Sequence, residues 1–262
     1  MWRPADIERA LSQPRTLSER GHRPFPLPEG RPWVMGQTWE DLLFAHWRVD
    51  PAALRDVVPP QLPIDTFDGS AWIGVTPFRV TGMRARLTPP LPGTSRFPEI
   101  NVRTYTTIDD RPGIWFISLD TSNRPAVGTA RRVYRLPYFR SRIDVERRGD
   151  RIGFRSERVS ADGPSAACEV GYRATGPASN AAPGSFAYFA CERYCLYTLD
   201  DRQRVLRGDI HHPPWPLQPA EARFAHNTMA DQVGIARDGE PTLHFAARQD
   251  VVFWLNEPVG RG

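Results

Sequence analysis

The segment FPEINVRTY, residues 97–105, decides how the rest of this sequence is interpreted. Its residues alternate in kind, as in a β-strand, where successive side chains point to opposite faces. One face would carry β-branched side chains, and the other would carry Glu99, Asn101, Arg103 and Tyr105. Such a strand is either half exposed or lines a wet cavity. The mixture of hydrogen-bonding groups favours the cavity, although the exposed face is the commoner case.

The distribution of proline and glycine along the 262-residue chain indicates many short strands. Its 27 prolines and 20 glycines are spread along the sequence and separate short apolar runs. This pattern predicts a mainly β fold, β-rich α+β, with about ten strands in a curled antiparallel sheet or barrel. We expect residues 1–30 to form an N-terminal helix and a proline-rich arm, and residues 31–262 to form the barrel domain.

Local signals place several elements. Two hairpins are predicted, one joining residues 97–105 to 114–120 and the other joining residues 138–145 to 151–159. Asp50 and Ser185 are suited to cap short helices that follow them, and a further short helix is predicted over residues 130–136. The proline-rich segment 81–96 is predicted to be a loop. Loops of that length in a compact domain are usually functional, for example as lids.

The basic residues are all arginine, because the chain has no lysine among its 34 basic residues, and the net charge is +4. Ten arginines and four acids fall within residues 131–158, an excess that could bind phosphate or nucleic acid. The interleaved acids favour a solvated hairpin instead. We therefore expect no nucleic-acid partner.

The three cysteines, Cys168, Cys191 and Cys195, cannot form a disulfide framework. The sequence also shows no signal-like leader and no long apolar run, which predicts a cytoplasmic protein that does not contact a membrane. Two thiols without a companion pair are more often core residues than metal ligands. No metal and no cofactor are predicted.

Residues 47–65 resemble the early strand, helix and proline stop of acetoacetate decarboxylase, and residues 126–128 (AVG) are similar to the segment before its catalytic lysine. Within that superfamily, WVMGQTWEDLLFAHW, FPEINVRTY, RRVYRLPYF and IHHPPWPL look like the YqjF-like family of bacterial proteins. The resemblance extends over roughly residues 31–256. It implies an acetoacetate-decarboxylase-like antiparallel β-barrel core with short flanking helices, a ligand cavity and assembly into homo-oligomers.

The decarboxylases of this superfamily form a Schiff base between a lysine and a β-keto acid. Here the matching positions after Pro137 are Tyr138 and Phe139, and no other lysine can substitute. An imine requires a primary amine, whereas the guanidinium of arginine stays protonated. The sequence therefore excludes Schiff-base decarboxylation. The resemblance implies that Glu99 matches an active-site glutamate, whereas the substrate-gating arginine of the family falls near Glu40.

Two residues are candidates for catalysis, Glu99 and His211. A carboxyl group in a partly dry barrel can have its pKa raised toward working pH, which suits Glu99 to proton transfer. Arg103, on the same strand face, could hold a substrate anion or could simply form a buried ion pair with Glu99. Asn101 and Tyr105 could bind a substrate carbonyl or satisfy loop backbone groups.

The remaining candidates for substrate binding are Tyr134, Tyr138 and His212. The two tyrosines flank the place where the family has its lysines. Adjacent histidines on an extended chain point opposite ways, so only one of His211 and His212 can face the cavity. The sequence thus predicts a small-molecule-binding barrel, which as an enzyme would be a lyase, hydratase or isomerase acting on a keto or carboxylic acid. The alternative is a ligand-binding or sensing protein that does no chemistry.

Overall fold

A computed structural model describes residues 4–259, apart from the side chain of residue 238. Residues 1–3 of the predicted arm and residues 260–262 of the predicted barrel domain lie outside it. Four α-helices occur in this part of the chain: α1 (Pro4–Ser12), α2 (Pro51–Leu54), α3 (Arg124–Val133) and α4 (Phe186–Cys191). The same residues form twelve strands: β1 (Met35–Val49), β2 (Ala71–Ala85), β3 (Phe97–Ile108), β4 (Arg111–Thr121), β5 (Tyr138–Arg148), β6 (Arg151–Arg158), β7 (Ala167–Ala174), β8 (Cys195–Leu199), β9 (Val205–His211), β10 (Gln218–Asn227), β11 (Asp238–Phe253) and β12 (Glu257–Pro258).

The strands close into two rings that share a wall. The first, the nine-strand ring, runs β4-β3-β2-β1-β11-β10-β7-β6-β5 and closes through the β4–β5 pairing. The second, the seven-strand ring, runs β4-β3-β2-β1-β11-β9-β8 and closes through the β9–β11 and β4–β8 pairings. Strands β1 to β4 and β11 belong to both rings. The predicted mainly β, barrel-like fold is confirmed.

Strand β3 has no exposed face along FPEINVRTY, because each of its faces points into one ring. Ile100 and Val102 join the apolar core of the nine-strand ring, where they pack in one cluster with Phe154 and Tyr172. The opposite face carries the charged and polar side chains, and Glu99 and Arg103 on it are only 4% and 7% exposed. The polar alternation therefore marks an interior polar surface.

The N-terminal segment packs into the barrel. The Gln13 side chain is fully buried and donates a hydrogen bond to the Gly82 carbonyl at 3.0 Å. A Cβ atom at Gly36 would lie 2.3 Å from the Gln13 side-chain oxygen, so a larger residue there would displace the Gln13 amide. Farther along, the Arg23 guanidinium is 2% exposed and donates to the Ile210 carbonyl at 2.6 Å. The arm is thus an integral part of the packed structure.

Most local predictions agree with the structure. Both hairpins form, and the Asp50 and Ser185 side chains accept capping hydrogen bonds from Ala52 and Tyr188. Two predictions were wrong in extent. Strand β2 continues to residue 85 by pairing with β1, which shortens the loop to residues 86–96. Helix α3 begins at residue 124 because Asn123 caps it.

The arginine-rich segment forms β5, β6 and their surroundings. Eight of its ten arginines pair with carboxylates, and several of these pairs are exposed, such as Arg142 with Glu157 at 3.0 Å. This agrees with the interpretation of the segment as a charged hairpin. Across residues 4–259, no helix combines the length and apolar character needed to span a membrane.

Candidate functional site

A cavity of about 360 Å³ lies on the polar face of β3, inside the seven-strand ring. Every strand of that ring contributes to its lining, together with α3 and the end of α4. The interior of the nine-strand ring, by contrast, is filled mainly by apolar side chains, together with the buried ion pair of Asp120 and Arg158. The lining is mostly apolar, but Glu99, Asn101 and Arg103 lie side by side on one wall.

Glu99 is a buried carboxyl group that shares a hydrogen bond with the cavity-lining Tyr138. The Tyr138 hydroxyl donates to Glu99 Oε2 at 2.9 Å. Burial raises the pKa of Glu99 to about 8, the hydrogen bond from Tyr138 opposes this shift, and the charge of Asp120 adds to it. At neutral pH the group is therefore largely protonated. A neutral carboxylic acid in a cavity is a competent proton donor, and its conjugate base is a competent acceptor.

We expect the Glu99→Gln variant to be increasingly stable relative to the wild type as pH rises from 5 to 8. The folded protein retains the Glu99 proton in this range, whereas the unfolded chain has already lost it, so wild-type stability falls with rising pH. Each unit of difference in pKa corresponds to about 1.4 kcal/mol, so the gap should reach a few kcal/mol and level off above pH 8. Urea unfolding at several pH values measures it, and a gap independent of pH would contradict a raised pKa.

Arg103 is a buried arginine that lines the cavity. Its guanidinium carbon lies 5.1 Å from the ring centre of Phe44 and 5.9 Å from that of Tyr105, and Nη2 donates to the Ala190 carbonyl at 3.3 Å. Among the side chains that the structure describes, no carboxylate lies within ion-pair distance of it. The structural alternative, an ion pair between Glu99 and Arg103, is not formed.

Several other buried polar atoms of the lining lack a hydrogen-bond partner among the described residues. They are Arg103 Nε, Asn101 Oδ1, Thr76 Oγ1 and Trp215 Nε1. A buried polar group without a partner costs roughly 1–3 kcal/mol. Thr76 and Asn101 face each other across β2 and β3, so three of the four atoms lie along one stretch of wall.

The two histidines point in opposite directions. His212 lines the cavity, but its ring nitrogens contact the backbone carbonyls of Pro213 at 2.7 Å and Arg193 at 3.3 Å. Burial lowers the pKa of His212 to about 3, so the ring is neutral. His211 instead faces the N-terminal arm, where Nε2 lies 2.8 Å from the Thr16 carbonyl. Because it lies outside the cavity, we remove His211 from the candidate catalytic residues.

Of the three candidate tyrosines, two line the cavity and one does not. Tyr134 and Tyr138 line the cavity beside the start of β5. Tyr105 is fully buried behind the cavity wall, where its hydroxyl lies 2.6 Å from His46 Nε2. It therefore supports Arg103 with its ring and does not meet a ligand.

The 86–96 loop and helix α3 both contribute residues to the cavity lining. Leu91 and Thr94 of the loop line the cavity although Leu91 is 61% exposed. Asn123 joins the two elements, since its Nδ2 donates to the Thr94 carbonyl at 2.9 Å while its Oδ1 caps α3 at Ala126. The loop thus forms part of the cavity wall.

Sequence reasoning missed Thr76, Trp215 and Arg193. Thr76 lies on β2, which is buried on both faces and so lacks the alternation that reveals a site, and Trp215 lies in the irregular proline-rich segment 212–216. Arg193 stands between Cys191 and Cys195, which also line the cavity. Burial raises the pKa of both thiols to about 12, so they are protonated and poor nucleophiles. Within residues 4–259, no cluster of three or more metal-ligating acids, histidines or cysteines is present.

Comparison with known proteins fits this architecture. The model of the DUF2071 family, described as an uncharacterized conserved protein, matches residues 36–250. The chain belongs to the DUF2071 family. A DUF2071 relative, the uncharacterized protein YqjF of Bacillus subtilis (strain 168), is 45% identical over 229 residues, which cover 87% of this chain and 93% of that protein. The predicted resemblance to the YqjF-like family is confirmed.

Solved structures similar to the DUF2071 chain have the acetoacetate-decarboxylase-like fold. The enduracididine biosynthesis enzyme MppR complexed with pyruvate aligns with a TM-score of 0.59 at 14% identity, covering 92% of this chain and 93% of that one. An acetoacetate decarboxylase-like enzyme from Sphingomonas wittichii RW1 aligns with a TM-score of 0.56 at 13% identity, covering 92% and 100%. At these identities the likeness establishes the fold alone.

Proposed function

We propose that the cavity binds a small keto or carboxylic acid through Arg103 and that Glu99 transfers a proton to or from the bound molecule. The proposed reaction is of the lyase, hydratase or isomerase type. It uses no imine, because the chain contains no lysine. Tyr138 would hold the Glu99 carboxyl group in place, and Asn101 would receive a polar group of the substrate.

The observation that carries this proposal is a buried guanidinium, with no carboxylate partner among the described side chains, in the same cavity as a protonated carboxyl group. A buried charge without a counter-ion costs several kcal/mol, and a ligand carboxylate would offset that cost. Since Glu99 is neutral at pH 7, it would not repel the incoming anion. The complex of MppR with pyruvate is an example of a keto acid bound to a protein of the same fold, which supports this class of ligand.

Binding and turnover can be tested with the purified protein and a panel of keto and carboxylic acids. We expect Arg103→Gln to weaken the binding of a carboxylate roughly 10- to 100-fold, the loss of a charge-assisted hydrogen bond. Arg142→Gln, at an exposed arginine, should leave binding unchanged. Equal binding by wild type and Arg103→Gln would contradict the proposed anchor.

Glu99→Gln separates catalysis from binding. We expect this variant to bind the acid as well as wild type does and to lose turnover by a factor of about 100 or more, the contribution of a positioned acid or base. Product formation would be followed by NMR. Binding without consumption by the wild type would favour the alternative, a ligand-binding or sensing protein, and unchanged turnover in the variant would remove Glu99 from the mechanism.

A further inference from the structure

The cavity is larger than a three- or four-carbon keto acid requires. Its volume of about 360 Å³ corresponds to roughly a dozen water molecules at about 30 Å³ each. A three-carbon acid would occupy only a minor part of it and leave the rest to water or to empty space. Close packing is the rule for ligands in protein interiors, so the size itself favours a larger occupant.

The walls away from the polar stretch are apolar and largely aromatic. Trp39 stacks on Trp215 with ring centres 5.9 Å apart, and Phe78 and Phe253 pack edge-on against Trp39 at 5.7 and 6.0 Å. Apolar residues of β4 and β8 form another wall: Ile114, Phe116, Leu119 and Leu196. Water against such walls finds few hydrogen-bond partners, whereas a hydrocarbon body gains from leaving water.

The unsatisfied hydrogen-bonding capacity, by contrast, is concentrated. Arg103 and Asn101 are two residues apart on one face of β3, and Thr76 lies opposite Asn101 on β2. The single guanidinium of Arg103 can bind one anionic group. Nearby, the Thr76 hydroxyl can donate to a keto oxygen, and Asn101 Oδ1 can accept from a hydroxyl group. Arg193, the other cavity-lining arginine, is already paired with Asp65 at 2.7 Å.

We infer that the ligand is an amphiphilic monocarboxylate, whose carboxylate contacts Arg103 and whose aliphatic or aromatic body of roughly ten non-hydrogen atoms packs against the apolar walls. This inference rests on the proposed function, since it assumes that Arg103 binds a carboxylate. It adds the class of compound: a medium-chain or aryl-substituted acid, with an oxygen substituent near the carboxylate in the substrate proper.

Isothermal titration calorimetry with acetate, pentanoate, octanoate and 3-phenylpropanoate tests this inference, with the primary amide of each acid as a matched neutral control. We expect affinity for the straight-chain acids to rise about fourfold per methylene, because burial of each methylene group contributes about 0.8 kcal/mol. 3-Phenylpropanoate should bind far more tightly than acetate. Each amide should bind at least about tenfold more weakly than its acid.

Two variants locate the two halves of the ligand. Arg103→Gln should abolish the preference for acid over amide while retaining the gain with chain length. Ala130→Leu places a larger side chain in the cavity wall contributed by α3, so octanoate should lose affinity at least tenfold while acetate binds as before. The wild-type comparison of acids with amides needs neither variant, so it stands even if a variant unfolds.

The outcomes distinguish this inference from the proposed function. Equal affinities for acetate, octanoate and 3-phenylpropanoate, with acids still preferred over amides through Arg103, would overturn the amphiphilic ligand and retain the anion site. Acids that bind no better than amides would overturn the anion site. Failure of every acid and amide to bind to the folded wild type would overturn both.

Discussion

Replacement of Arg158 by alanine is expected to lower the free energy of unfolding by about 3–5 kcal/mol. The Arg158 Nε and Nη2 atoms donate to the two carboxylate oxygens of Asp120, each at 2.7 Å, and the side chains are 0% and 1% exposed. The guanidinium also lies 3.9 Å from the ring centre of Phe139. Removal of the arginine leaves the buried Asp120 carboxyl group with Ser141 as its remaining side-chain donor among the described residues.

An exposed pair of the same hairpin gives the control for Arg158→Ala. Arg142 and Glu157 contact each other at 3.0 Å with side chains that are 69% and 65% exposed. Arg142→Ala should therefore cost less than about 0.5 kcal/mol. Urea unfolding of both variants at pH 7 measures the difference. A loss below about 1 kcal/mol in Arg158→Ala would mean that solvent reaches Asp120, against the burial seen here.

The second large effect is expected from Gly113→Ala on β4, which should destabilise the protein by about 2–3 kcal/mol. A Cβ atom at this position would lie 2.5 Å from the ring of Tyr197 and 2.8 Å from Cys195 Sγ. The Tyr197 ring cannot move aside freely, because it is 1% exposed and its hydroxyl donates to the Arg111 carbonyl at 2.9 Å. The glycine therefore allows β8 to approach β4.

Gly171→Ala is the matched control for Gly113→Ala. Gly171 lies on β7, and an added Cβ there would meet no atom within 4 Å. Its replacement should change stability by less than about 1 kcal/mol, toward stabilisation, because alanine restricts the unfolded chain. Thermal or urea unfolding of the two variants compares them directly. Similar losses in both would show that backbone preference, and not crowding by Tyr197, sets the cost.

The sequence was sufficient to predict the polar face of β3, because alternation is a local property. It placed Glu99, Asn101 and Arg103 together for that reason. The absence of a carboxylate partner for Arg103 among the described side chains depends on tertiary placement: Asp120 pairs with Arg158 and Asp65 with Arg193. Such pairings join residues far apart in the chain, so they cannot be derived from spacing.

The side-chain contacts of His211 were beyond sequence reasoning for a related cause. In the segment VLRGDIH, residues 205–211, His211 shares one strand face with Arg207 and Asp209, but this alternation does not reveal what that face contacts. His211 was predicted to be catalytic from its rigid, proline-flanked context. Its side chain is instead engaged by the N-terminal arm, whose docking position has no local signal.

Each strand of the wall shared by the two rings has one face in the packed core and the other face in the cavity-bearing ring. On β3, Ile100 and Val102 pack in the filled interior of the nine-strand ring, while Glu99, Asn101 and Arg103 between them face the cavity. Alternate residues of one strand can therefore diverge at different rates. In such a scaffold the residues that face the cavity can change without rebuilding the core of the nine-strand ring.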